Sequence, residues 1–131
     1  MIDQLDEIWW EDSWLLGWEK TDDLLVLYVD VHLRRDHPLF EPFDEKKHVG
    51  CYKTARLSVS GPQQVSGLPS ARHDPQWNPA MDEYKDVGDI DVMNLGGDGR
   101  GFVMEVGAAK VADSFRLEVK GRSVDLIVEA F

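Results

Sequence analysis

The sequence predicts a mainly β fold: one domain over residues 1–131, an antiparallel sandwich or open barrel with one short helix at its start. Three observations predict it. Apolar residues alternate at period two through Asp23–Leu33, the spacing of a strand with two distinct faces. Further short apolar runs follow, separated by Gly, Pro, Asn and Asp, the residues that make turns. No long amphipathic stretch lies between them, and parallel strands need such crossovers.

At the start, Ile2, Leu5 and Ile8 stand three apart and Asp3 sits where acids favour a helix start, which predicts a short helix over Met1–Glu7. Four of the five tryptophans then fall in Trp9–Trp18. Trp10, Trp14 and Trp18 are four apart, a helical spacing. Gly17 and the turn residues of Glu19–Asp23 favour a strand over Ser13–Glu19, paired as a hairpin with Asp23–Arg34. Alternation then puts Trp14, Leu16 and Trp18 on one face, against Leu25, Leu27 and Val29. Trp9 and Trp10 are neighbours, so one packs while the other sits at the rim.

Ala55–Ser60 reads as a strand stopped by Gly61-Pro62, with Gln64–Leu68 continuing after a bend. Asp89–Met93 and Phe102–Val106 flank a glycine-rich turn. Phe115–Val119 and Ser123–Val128 flank Lys120-Gly-Arg122, which predicts a hairpin. Two long loops remain, Arg35–Lys47 and Pro69–Lys85. Trp77 lies between Pro75 and Pro79, where neither helix nor central strand fits. Burying such a ring contributes about 2–3 kcal/mol, so a plug at the end of the core is expected, with an exposed anchor as the alternative.

Charge narrows the function. The net charge is −11, and residues 1–23 hold eight acids against Lys20, a net of −7. A phosphate backbone requires Lys and Arg, so nucleic acid is not an expected partner. The longest clean apolar run, Leu24–Val29, is too short to span a membrane as a helix. MIDQLDEI lacks the basic and apolar regions of a signal peptide. A single cysteine, Cys51, fits a reducing compartment, and a cytoplasmic location is expected. No cofactor is expected either.

Gly97–Gly101 fails the dinucleotide fingerprint, because Phe102 stands where the third glycine belongs, and it lacks the lysine of a P-loop. Asp89, Asp91, Asn94 and Asp98 do not match a helix–loop–helix calcium loop, which leaves only a weak ion site open. Ser13 lacks the frame of a nucleophile elbow, and Cys51 reads as an inert buried thiol. Carriage of a small ligand inside a β half-barrel has no discriminating residue, and two readings rest on named residues. The first is a non-catalytic binding module whose Trp10, Glu11, Asp12, Asp22, Asp23 and Trp77 meet a basic protein partner. The alternative is a metal-assisted hydrolase built on Asp30 and His32, two steps apart on one strand face, with the carboxylate and imidazole as ligands or as an acid–base pair.

Trp10-Glu-Asp-Ser-Trp-Leu-Leu-Gly-Trp18, Leu25–Leu33 and Tyr52–Leu57 together resemble short, uncharacterised bacterial β-domain proteins. Some of these are labelled as immunity proteins of toxin systems. Many of them carry His where this chain has Glu11. The resemblance covers about half the chain and implies a small bacterial β domain more than any one activity.

Overall fold

The computed structural model describes residues 5–48, 50–107 and 114–128. Among these, Leu5 and Asp6 are helical; residues 1–4 of the expected helix lie outside the described residues. A 3-10 turn, Trp10–Asp12, leads into β1 (Trp14–Lys20), which pairs antiparallel with β2 (Leu24–Leu33). The turn between them is held by Thr21, whose N–H donates to the Leu24 carbonyl at 2.9 Å. The Thr21 Oγ1 in turn accepts the Leu24 amide at 3.2 Å. β3 (Cys51–Ser60) pairs with all ten residues of β2, starting earlier than the sequence suggests.

After β3 come β4 (Gln64–Ser66), three two-residue strands β5 (Arg72–His73), β6 (Trp77–Asn78) and β7 (Glu83–Tyr84), then β8 (Gly88–Leu95), β9 (Gly101–Val106), β10 (Phe115–Lys120) and β11 (Ser123–Val128). The main sheet runs β11-β3-β2-β1-β8-β9-β10-β4, with β5 beside β1, and is not closed into a barrel. β6 and β7 form a separate small hairpin. β8 joins the two halves of the sheet: Gly88 and Asp89 pair with β1, and Ile90–Leu95 pair with β9. Apolar side chains from both halves form one core. Leu15, Trp18, Leu27, Val29, Leu57 and Val59 come from one half, and Ile90, Phe102, Met104, Leu117 and Val119 from the other.

Two expectations about the sheet are overturned. β10 and β11 are not a hairpin: β10 pairs with β9 and β4, whereas β11 pairs with β3. Lys120-Gly-Arg122 is a corner, lying beside the Gly61-Pro62 corner between β3 and β4. Gln63 N–H donates to the Lys120 carbonyl at 2.7 Å, and Arg122 N–H to the Ser60 carbonyl at 2.8 Å. β3, β10 and β11 bury alternate residues on either side of the bend, whereas β4 only partly buries Val65. Gly61 has φ +55°, a conformation that glycine adopts without steric cost.

The second correction concerns the tryptophans. Trp14 and Trp18 do not share a face, because a bulge at Leu16 intervenes: Leu15 pairs with Val29, but Gly17 pairs with Tyr28. One extra residue on one strand inverts the facing of everything beyond it. Trp18 turns into the core, and Trp14 turns out. Of the adjacent pair, Trp10 is buried and donates its indole N–H to the Leu5 carbonyl at 2.8 Å, while Trp9 is exposed.

The two long loops are partly ordered. Phe40 and Phe43 of the first pack against the core, and Cys51 is buried beside it, accepting the Glu41 amide. The second contains β5, β6 and β7. Trp77 is 50% exposed and meets Tyr84 edge-on, with ring centroids 5.0 Å apart, so it does not plug the core.

Candidate functional site: an acidic, aromatic sheet face

The odd residues of β2, Leu25 to Leu33, point into the core, which leaves Asp30 and His32 on the outer face. Register supplies their neighbours. Trp14, Asp30 and Thr54 form one row across β1, β2 and β3, and His32 and Tyr52 lie side by side in the next. Three rings stack there. Trp14 and Tyr52 have centroids 4.8 Å apart at 27°, and Tyr52 and His32 4.6 Å apart at 24°. Such parallel, closely spaced aromatic pairs contribute about 0.5–1.5 kcal/mol beyond their buried area.

Ser13 holds this arrangement in place. It is fully buried. Its hydroxyl donates to the Trp9 carbonyl at 2.8 Å and accepts the His32 amide at 3.0 Å. The 3-10 turn is thereby fixed against the end of β2, and Asp12 Oδ2 stands 3.8 Å from His32 Nδ1, too far for a hydrogen bond. Gly50 closes the far side of the imidazole, since a Cβ there would lie 2.1 Å from Nε2.

Asp30 is the unusual group. Burial pushes its carboxyl up to about 6, and the charge of Glu83 on β7 adds to this. Among the described residues no salt bridge reaches it. Tyr52 is also raised, by burial first and then by the charges of Asp12 and Asp30. Asp12 and Asp30 thus both bear on Tyr52, and Glu83 bears on Asp30.

The residues expected at a partner surface are distributed otherwise than the sequence suggests. Trp10 is part of the core. The exposed ring of the pair is Trp9, 48% exposed, with the Arg34 guanidinium 4.5 Å above it. Glu11 and Asp12 are exposed at the same end. Asp22 and Asp23 are exposed in the β1–β2 turn, at the opposite end of the hairpin. Eight strand steps from Leu24 to His32 separate them, roughly 27 Å. Trp14, Tyr52 and Glu83 were not expected at the site. Their signal is one of register, which alternation within a single strand does not carry.

Asp30 and His32 share the face expected of them. Among the described residues, however, no group of three or more His, Cys, Asp or Glu side chains is placed to hold a metal ion, whereas a catalytic zinc needs three protein ligands. A separate open depression of about 360 Å³ lies at the β8–β9 end, where Asp98, Glu118 and Lys120 line it with charges of both signs; it does not include the ring stack. No helix among the described residues is long and apolar enough to cross a membrane. No family model, curated protein or solved structure matches the chain.

Proposed function

We propose that this protein is a non-catalytic binding module, immunity- or inhibitor-like, that docks a basic protein partner on the outer face of β1, β2 and β3. One observation carries the reading. Asp30 is a largely buried carboxyl held near 6 beside further acids, with no ion pair among the described residues. A Lys or Arg of a partner supplies the missing counter-charge, and the rings of Trp14 and Tyr52 supply apolar area around it. Exposed Trp9, Glu11 and Asp12 extend the same surface, and the net charge of −11 steers a basic partner toward it.

The test is capture from native lysate at low and high salt, followed by affinity measurements on the partner recovered. Asp30→Asn and Asp12→Lys weaken binding at least tenfold if the face is the docking site. Equal affinity of Asp12→Lys and the unaltered chain rules the face out.

The second reading is the hydrolase. A carboxyl titrating near 6 suits general acid–base work, and His32 shares its strand face. Stoichiometric metal in protein purified without chelator, together with a hydrolytic activity lost in His32→Ala, supports it; absence of both removes it.

A further inference from the structure

The turn after β2 and the N-terminal segment bonded to it each hold a buried polar atom, and the two complement one another. His37 is buried. Its Nδ1 accepts the Leu39 amide at 3.0 Å. The turn around it is closed by two backbone bonds, His37 N–H to the Arg34 carbonyl and Phe40 N–H to the His37 carbonyl, each 3.0 Å. Because Nδ1 accepts, the neutral ring carries its proton on Nε2. That Nε2 is buried with no partner among the described residues, and so is Glu7 Oε2. One is a donor lacking an acceptor, and the other an acceptor lacking a donor. The segments that carry them are already joined, since the Arg34 amide donates to the Glu7 carbonyl at 3.0 Å.

The charged groups around the ring are acidic. Glu7 and Asp36 both favour the imidazolium, whereas burial, the larger effect, opposes it and holds the ring below its ordinary value. The neighbouring cation faces elsewhere: Arg34 lies over Trp9, with its Nε 3.8 Å from Asp36.

We propose that His37 is a proton-operated switch that exchanges the Leu39 amide for the Glu7 carboxylate. A proton from solvent adds to Nδ1, and no covalent bond breaks. Both ring nitrogens are then donors, and Nδ1–H confronts the Leu39 N–H, so that hydrogen bond is lost. The imidazolium gains a carboxylate acceptor in Glu7 and moves toward it. The turn over 34–40 loosens, and the Arg34 guanidinium, at the start of that turn, moves off Trp9. Acid thereby changes how Trp9 is presented at the end of the sheet face. The switch is a property of the chain itself and does not depend on a partner docking there.

The experiment is amide exchange of Leu39 by NMR on the full chain, corrected for intrinsic rates, between about pH 7.5 and about pH 5, with the His37 ring nitrogens followed in the same samples. Exchange accelerates about tenfold as the ring protonates, the loss of one hydrogen bond. Glu7→Gln moves the midpoint to lower pH. His37→Asn, whose amide oxygen still accepts the Leu39 N–H, removes the pH dependence. Should His37→Asn fail to fold, Glu7→Gln decides alone. Leu39 exchange that stays constant while His37 protonates overturns the switch, as does an unchanged midpoint in Glu7→Gln.

Discussion

Asp30 ionises where the fold disfavours it. Its folded value of about 6 lies above the ordinary 3.8, so the folded state binds the proton more tightly than the unfolded chain. The resulting stabilisation is complete below 3.8 and is lost as pH rises through about 6. The shift corresponds to at most about 3 kcal/mol at neutral pH. Asp30→Asn is therefore expected to raise the unfolding free energy at pH 7 and to flatten its fall between about pH 4 and pH 6, as measured by urea denaturation. Equal stability of the variant at pH 7 contradicts the uncompensated carboxyl. His37 acts in the opposite direction. Its folded value lies below 6.5, so its contribution is present above 6.5 and is lost as pH falls below it. In Asp30→Asn only the acid-side loss from His37 remains of the two, and His37→Asn removes that loss in turn.

Strand facing was legible wherever alternation ran unbroken. In β2 it placed Asp30 and His32 together on the outer face, which the structure shows. In β1 it failed because the bulge at Leu16 leaves no mark in the sequence: Trp14, Leu16 and Trp18 alternate as well as any regular strand. Register was equally hidden, so Tyr52 could not be set beside His32 from sequence alone, nor Glu83 near Asp30. The bulge has a reason in packing. Gly17, just past it, lies under the segment that carries β5, and a Cβ there would stand 2.3 Å from the His73 carbonyl and 3.1 Å from the Pro75 ring. Gly17→Ala should thus cost about 2–4 kcal/mol, seen as a lower denaturation midpoint. It should also change the fluorescence of Trp18, whose ring stacks on His73 with centroids 5.1 Å apart. An alanine at Gly17 that leaves both unaltered means the covering segment moves aside freely.

At the scale of the whole molecule, charge and corner matter most. The acids of the first 23 residues read as one patch in the sequence, yet the β1–β2 hairpin holds Asp12 and Asp22 at opposite ends. Reversal to Lys should therefore separate them: Asp12→Lys weakens capture of a basic partner, and Asp22→Lys alters only its salt dependence. Equal losses from the two would mean that long-range steering, not a local face, governs binding. The corner is the other whole-molecule feature, and the sequence misled there because Lys120-Gly-Arg122 has the composition of a tight hairpin. A Cβ at Gly121 would lie 2.5 Å from Val59 Cγ1 and 2.9 Å from the Ser60 carbonyl. Gly121→Ala is accordingly expected to destabilise by several kcal/mol, readable as a drop in Tm. The corner also bears on how the chain is made. Val59 on β3 waits for Val124 on β11, more than sixty residues further along. A nascent chain on the ribosome thus carries β3 with one open edge until nearly all of the domain has emerged. Contacts between such distant residues also make folding slow, on the order of milliseconds to seconds, and during that interval the unpaired edge is the surface a chaperone or a second nascent chain meets first.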